Sequence, residues 1–417
     1  MGRAELMDQC RDKWFTDMYW LTPYNWLDEV RKEFNLPKRV MIHEVTLREA
    51  DQQPFIGLKA DEKVRIAEAL DELGVWSVEI APAISEEDVK ATKEIVKLGL
   101  NCKVIAFVSW RREDVDRALQ CGVDGVIVDF VGNPWQAETF WGMSPDEQIQ
   151  RAVDQLNYAK DHGLFTIALP WDNYRAPLDF LEKMYRRLVD DGKADHVSIS
   201  ETFGFALPWT TVHLVKKVKG WIPNTPLHKH GHNDFGLATV DMIAAVCGGA
   251  EALHTTMCGL GERAGNAATE EAVVALELLL GVDTGINLEK IHYTAELIQD
   301  ITKFRCAPNK PIIGSNIFTT ASGWIAWMQQ KAEAAGRITG MLPFKPELIG
   351  APPRRWVFGK GAGRGLVEAK LREMGITLTE EQLTIVTERI KKECVIRKGE
   401  IKERDVKKIV DDLLKGK

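Results

Sequence analysis

Short apolar runs alternate with longer amphipathic runs from about residue 39 to residue 280. The short runs are rich in β-branched and aromatic residues, whereas apolar positions in the long runs recur every three or four residues, as on one face of a helix. Eight strands are predicted, over 39–46, 75–81, 103–109, 125–130, 164–170, 196–200, 225–230 and 252–256. Helices are predicted between them, over 60–73, 85–98, 112–120, 145–161 and 177–191.

Eight alternating strands and helices in about 240 residues are typical of a (β/α)8 TIM barrel. A doubly wound open sheet is the alternative, but polar clusters follow nearly every predicted strand rather than one crossover point. We therefore predict an α/β fold, with an N-terminal helical arm over 1–38 and a TIM-barrel domain over 39–285. Residues 286–417 are predicted to form mainly helical C-terminal subdomains.

Charge and composition exclude several classes of protein. The net charge of -7 provides no general positive field for nucleic acid or an anionic membrane surface. The seven cysteines are scattered without a Cys-x-x-Cys pair, so neither a disulfide framework nor a zinc knuckle is expected. No signal peptide is evident, and no run approaches the ~20 apolar residues of a membrane-spanning helix. We expect a cytoplasmic protein.

Histidines stand at alternate positions 228, 230 and 232, around the end of the seventh predicted strand. Side chains at i and i+2 of a strand project from the same face, so His230 and His232 can hold one metal ion. The alternative is a polar strand end whose histidines bond to backbone. Glu49, after the first predicted strand, is the candidate carboxylate ligand, and Asn266 could add an amide oxygen.

Further polar residues follow other predicted strands, and barrel geometry would bring them to the same face. Arg48 can stabilise a developing enolate or alkoxide, or form only a structural ion pair. Glu79 ends the second strand, where a buried carboxylate requires a partner such as Arg48 or a substrate. Thr202 can bind a substrate carboxylate or serve as a simple turn hydroxyl.

Three motifs resemble those of the DRE-TIM metallolyase superfamily. They are Thr-Leu-Arg-Glu-x-x-Gln at 46–52, His-x-His-Asn-Asp-x-Gly at 230–236, and Gly-x-Gly-Glu-Arg-Ala-Gly-Asn at 259–266. The superfamily includes 2-isopropylmalate, homocitrate and citramalate synthases and hydroxymethylglutaryl-CoA lyase. The resemblance implies a divalent metal (Mn, Mg, Zn or Co) held by Glu49, His230 and His232, with Asn266 close by. It also implies Arg48 and Glu79 as catalytic residues and Gln52 and Thr202 as substrate-binding residues.

The resemblance continues past the barrel. Segments 311–319, 343–350 and 359–364 look like the two linker subdomains of the synthases, and the sequence stops before any leucine-sensing regulatory domain. Feedback inhibition of that type is therefore not expected. By the same resemblance we expect a homodimer, in which the N-terminal arm and the linker region pack across subunits.

The sequence also departs from the synthases. They carry histidines in the linker, one of which helps a tyrosine and a glutamate to deprotonate acetyl-CoA, yet here no histidine lies beyond His292 and no tyrosine beyond Tyr293. Loss of a positioned base costs about 10²–10⁴-fold in rate. Glu44 stands where the family usually has aspartate, and Ala50 and Asp51 replace a usual Gly-Glu pair.

Three functions are therefore compatible with the sequence. One is a Claisen-type synthase that condenses an acyl-CoA with a 2-oxo acid, using a different base. The second is a lyase or aldolase that runs the retro-reaction on a 3-hydroxy acid or its CoA thioester. The third is a non-catalytic metal-binding relative. An aromatic pocket formed by Trp110, Trp135, Trp171 and Trp324 is also predicted, to accept a substrate larger or more apolar than pyruvate.

Overall fold

The computed structural model describes residues 11–415. Eight parallel strands pair in chain order and close into a barrel, β1 with β8. The strands are β1 Met41–Glu44, β2 Ser77–Ile80, β3 Lys103–Val108, β4 Gly125–Val131, β5 Phe165–Trp171, β6 His196–Glu201, β7 Leu227–Gly231 and β8 Ala252–Thr255. Closure confirms the predicted TIM barrel and rules out the open-sheet alternative.

Two short helices precede the first strand, α1 Arg11–Trp14 and α2 Asp28–Arg31. The helices that follow the strands are α3 Thr46–Gln52, α4 Ala60–Leu73, α5 Glu86–Lys97, α6 Arg112–Cys121, α7 Pro134–Trp141, α8 Pro145–Asp161, α9 Leu178–Asp190, α10 Pro208–Trp221, α11 Ala238–Gly248, α12 Thr269–Ala275 and α13 Ile291–Thr302. The bounds of α4 and α8 are those predicted. Ser144 and Glu147 cap the start of α8 reciprocally, which fixes its first residue.

The residues form two compact units, and each is described separately. Residues 24–306 contain the barrel, whereas residues 11–23 group with 307–415. The second unit contains β9 Thr319–Thr320, β10 Arg355–Trp356, α14 Gly323–Ala334, α15 Arg364–Glu373, α16 Glu380–Arg397 and α17 Glu403–Leu414. The predicted helical character of this region is confirmed. Its core includes Phe358, Val367, Val386 and Ile390.

The barrel interior is divided into an apolar and a polar half. On β3, β4 and β5, Ile105, Ile127 and Ile167 pack in one cluster with Leu169. On β1, β6, β7 and β8 the corresponding volume contains four imidazoles instead, and each ring centroid lies within about 6 Å of at least one other; they are His43, His196, His228 and His254. No helix among residues 11–415 is both long and apolar enough to cross a membrane.

Candidate active site

The candidate metal ligands lie at the carboxyl ends of β1 and β7, on the face where barrel loops converge. Glu49 belongs to α3, which begins two residues after β1, and its side chain is 1% exposed. His230 lies within β7, and His232 follows the strand by one residue, so both rings project to one side. Their proposed ligand atoms and that of Glu49 all lie within 4.8 Å of one another.

The donor set fits a divalent cation. The Nε2 atoms of His230 and His232 are 3.2 Å apart, and that of His230 is 3.7 Å from Oε1 of Glu49. Burial first, and then nearby positive charge, lowers the pKa of His230 well below its usual value and that of His232 to about 3. Both rings are therefore neutral at physiological pH, the form that binds metals. Oε2 of Glu49 is buried and accepts no hydrogen bond.

Asn266 lies beside this group because the loop after β8 folds back on β7. It forms an isolated antiparallel bridge with His232, and neither polar atom of its buried side chain has a hydrogen-bond partner. Gly261, at φ 145°, makes room for it, since a Cβ there would lie 2.0 Å from Oδ1 of Asn266. A buried amide without partners is costly, and a bound cation would satisfy its oxygen.

Arg48 lies between two carboxylates. Its Nε donates to Glu79 at 2.5 Å, and one Nη donates both to Glu49 and, at 2.9 Å, to Gln52. The guanidinium also lies 4.5 Å from the ring centroid of Phe107. Burial opposes the positive charge, but the charges of Glu49 and Glu79 raise the pKa of Arg48 above its usual value. The structure therefore presents a fixed, permanent cation beside the candidate metal ligands.

Glu79 positions this cation. Its second oxygen is 2.8 Å from Nε2 of His43, whose Nδ1 is 2.6 Å from the hydroxyl of Ser77. Burial alone would raise the pKa of Glu79, but Arg48 and His43 outweigh it and lower that pKa. Glu79 is therefore ionised and hydrogen-bonded to both Arg48 and His43, which fixes the side chain of Arg48.

The two predicted substrate-binding residues occupy different surroundings. Gln52 is exposed and is joined to Arg48, so it is close to the site. The hydroxyl of Thr202 accepts a hydrogen bond from the backbone N–H of Asp172 at 2.8 Å, as expected of a turn hydroxyl. Its carbonyl accepts from Arg263 at 2.6 Å. A role for Thr202 in substrate binding therefore stays a prediction.

Glu44, the residue that departs from the family motif, fastens α3 to the loop after β8. Its carboxylate accepts hydrogen bonds from the backbone and hydroxyl of Thr46, from the backbone N–H of Met257 and from the hydroxyl of Thr269. Burial raises its pKa to about 7, although these hydrogen bonds oppose the shift. All of these partners, within residues 11–415, lie outside the candidate metal ligands, so the longer glutamate fills a structural position.

The polar half of the interior contains a chain of imidazoles that sequence reasoning missed. Nδ1 of His196 is 2.8 Å from Nε2 of His228, and Nδ1 of His228 is 3.0 Å from Nε2 of His254. His254 lies close to His43 and Glu79. The sequence did contain an indication of this chain, because side chains two residues apart on a strand project to the same face and His228 is two residues before His230.

We expect His196→Leu to reduce the acid sensitivity of folding. Burial lowers the pKa of His196 from 6.5 to about 4, so the unfolded chain takes up a proton first as pH falls from 6.5 towards 4. Stability present above pH 6.5 is therefore lost across that window, by about 3 kcal/mol for this residue. The variant should lose correspondingly less free energy of unfolding between pH 6.5 and 4, measured by urea denaturation. Exposed His213→Leu is the control; equal slopes in all three proteins would contradict the expectation.

The chain is similar to proteins of one known family. The sequence model of the HMGL-like family matches residues 39–298. A putative (R)-citramalate synthase of Archaeoglobus fulgidus is 38% identical over 91% of this chain and 76% of its own length. A homocitrate synthase of Methanothermobacter thermautotrophicus is 36% identical, over 90% of this chain and 93% of its own length. The chain belongs to the HMGL-like family, and so to the DRE-TIM metallolyase superfamily.

A solved hydroxymethylglutaryl-CoA lyase from Pseudomonas aeruginosa matches with a TM-score of 0.58 and 20% identity, over 65% of this chain and 95% of that protein. The corresponding lyase from Bacillus subtilis matches with a TM-score of 0.56 and 21% identity, over 64% of this chain and 95% of that protein. At these identities the likeness supports the barrel fold and nothing further.

Proposed function

We propose that this protein is a divalent-metal-dependent enzyme that condenses an acyl-CoA with a 2-oxo acid in a Claisen-type reaction. The observation that carries the proposal is the buried group of Glu49, His230 and His232, with the guanidinium of Arg48 hydrogen-bonded to Glu49. Three relatives that match over at least 90% of this chain are named as citramalate, homocitrate and 2-isopropylmalate synthases. Their names support condensation over cleavage.

In this proposal Glu49, His230 and His232, with Asn266 beside them, would hold a divalent ion, which would supply Lewis-acid polarisation of the carbonyl of the 2-oxo acid. Arg48 stabilises the alkoxide that develops on that oxygen, and it cannot lose its proton while doing so. Glu79 and His43 hold the guanidinium in place before the reaction, which limits reorganisation as charge develops. Gln52 accepts a further hydrogen bond from Arg48 and extends the polar wall towards solvent.

A lyase or aldolase that runs the retro-reaction is the second candidate. The observation that favours it is the absence of histidine and tyrosine after Tyr293. A condensing enzyme must deprotonate the acyl-CoA, whereas a cleaving enzyme can protonate its enolate by another route. The third possibility, a non-catalytic metal-binding relative, is disfavoured because Arg48 and Glu79 are paired beside the ligands.

The decisive assay measures free thiol released by the Mn²⁺- or Mg²⁺-loaded protein from acetyl-CoA and a panel of 2-oxo acids. Release that requires one 2-oxo acid and is absent in Arg48→Ala supports the synthase. Arg186→Ala is the matched control, because Arg186 is an exposed arginine paired only on the surface. If no thiol is released and a 3-hydroxy acid is cleaved in a metal-dependent reaction, the protein is the lyase rather than the synthase. Metal binding without either reaction would support the non-catalytic relative.

We also propose, by family likeness, that the protein is a cytoplasmic homodimer. Light scattering after size-exclusion chromatography measures the mass directly, and a monomer at micromolar concentration would contradict the proposal.

A further inference from the structure

A tryptophan-walled cavity opens on the apolar half of the barrel. It has a volume of about 450 Å³, within the range of small-molecule sites. Three indoles line it: Trp110 follows β3, Trp141 ends α7 and Trp171 ends β5. Trp135, predicted for this pocket, is 65% exposed and does not line the cavity, and Trp324 belongs to the other unit.

The walls of this tryptophan cavity are held in place. The rings of Trp110 and Trp141 meet edge to face with centroids 5.2 Å apart, and those of Trp141 and Trp171 are 6.5 Å apart. Trp110 and Trp171 also pack against a buried cluster that contains Val131 and Met143. A preformed aromatic wall of this kind suits a flat or bulky apolar group and costs little ordering on binding.

Asp129 is the only carboxylate among the residues that line the tryptophan cavity. It lies two residues after Ile127 on β4, and Ile127 packs into the apolar interior cluster, so both side chains point to the same side. Among residues 11–415 no side chain or backbone N–H donates a hydrogen bond to the carboxylate of Asp129. The nearby Arg111 is paired with Asp114 at 3.2 Å and is 66% exposed. Asp129 therefore faces the cavity without a donor of its own.

Electrostatics connect Asp129 to the proposed reaction site. Burial raises the pKa of Asp129 to about 7; the charge of Arg48 opposes the shift, and those of Glu79 and Glu49 add to it. The guanidinium of Arg48 lies 4.5 Å from the ring of Phe107, which packs against the same interior cluster as Ile127, so Asp129 and Arg48 lie at the same barrel mouth. A ligand that supplies a hydrogen bond to Asp129 would remove the cost of an unpaired, half-buried carboxylate.

We infer that Asp129 selects the substrate side chain. The preferred 2-oxo acid has an apolar side chain of aromatic size that ends in a hydrogen-bond donor, either a hydroxyl or an ammonium group. The indoles contact the apolar part, and Asp129 accepts from the donor. The identity of the ligand as a 2-oxo acid rests on the proposed function, whereas the donor preference rests on the cavity. A side chain without the donor leaves the carboxylate unpaired, which is how polar pockets reject close analogues.

The test compares three ligands that differ only at the end of the ring: phenylpyruvate, its para-hydroxy analogue and its para-aminomethyl analogue. Binding to the Mg²⁺-loaded protein is measured well above the value of about 7 to which the pKa of Asp129 is raised, so that the carboxylate is ionised. It is followed by quenching of tryptophan fluorescence, which does not depend on turnover. We expect at least one donor-bearing analogue to bind about 10- to 100-fold more tightly than phenylpyruvate, as for a hydrogen bond to a charged group. Equal binding of all three, or no binding of any, would overturn the inference.

Two variants identify the group responsible and the class of donor. Asp129→Leu should abolish the preference, and Asp129→Asn, which keeps an acceptor but no charge, should retain preference for a hydroxyl and lose it for an ammonium. Asp146→Asn, at a carboxylate 66% exposed, is the control and should leave the preference intact. A preference that persists in Asp129→Leu, with a native-like circular dichroism spectrum, overturns the assignment. The thiol-release assay tests the condensation separately. If no thiol is released but the donor preference is present, the condensation is rejected and the role of Asp129 is retained.

Discussion

Replacing Arg48 by lysine is expected to lower kcat by about 10²–10³-fold while metal binding is retained, once the reactive 2-oxo acid is known. Arg48 donates from separate nitrogens to Glu79 and to Gln52, and a single ammonium cannot reproduce this fork. Loss of one preorganised donor at a developing oxyanion typically costs this factor. Because the interaction strengthens as charge develops, kcat should fall more than KM rises.

The matched control is Arg186→Lys, which changes the same residue type at an exposed helix pair with Glu182. Its kinetics should equal those of the unmodified protein. Metal content of both variants is measured in parallel by atomic emission. Full activity of Arg48→Lys would remove Arg48 from the mechanism, and loss of metal in that variant would instead make it a positioning residue for Glu49.

The second large effect is expected for His232→Ala, which should abolish measurable binding of Mn²⁺ and with it all turnover. His232 supplies one of only two nitrogen donors in the group, and its ring is neutral and buried. The variant would retain only Glu49 and His230 of the three close ligands, and a divalent ion held by one carboxylate and one imidazole binds more weakly. Isothermal titration with Mn²⁺ measures the loss directly.

His213→Ala provides the comparison, because His213 is an exposed histidine on α10. It should bind Mn²⁺ with unchanged stoichiometry and affinity. Retention of a tight site in His232→Ala would show that the ion, if any, is held elsewhere. The other close group of donors, His43, Glu79 and His254, would then be the next place to examine.

Long periodic segments of the fold could be predicted from sequence alone. The helices Ala60–Leu73 and Pro145–Asp161 have clear amphipathic periods and definite ends, so their bounds agree with prediction. Helix α3 was missed because the first strand was extended to residue 46, whereas β1 ends at Glu44. Its seven residues are too few to show a helical period, and its start is fixed by the carboxylate of Glu44, which accepts hydrogen bonds from the backbone and hydroxyl of Thr46.

Much of the candidate site could also be predicted, because the order of the motifs along a barrel brings strand ends together. That rule is enough to predict that Glu49, His230 and His232 lie together. The pairing of His43 with Glu79, and the chain from His196 to His254, depend on which faces of neighbouring strands meet across the interior. Asp129 offered a weak signal, a lone acid in an apolar strand, whose meaning depends on where the tryptophans of three separate loops lie.

The three linked imidazoles on the polar side permit only two proton arrangements. Burial lowers the pKa of His196, His228 and His254, so each ring is neutral and carries one proton. When His228 donates towards His196 it must accept from His254, whose Nδ1 is then bare; in the reverse arrangement that Nδ1 bears hydrogen. The tautomer of His254, next to Glu79, is therefore coupled to that of His196 at the start of β6, at the other end of the row. While both hydrogen bonds are made, the tautomer of any one of the three rings determines the tautomers of the other two.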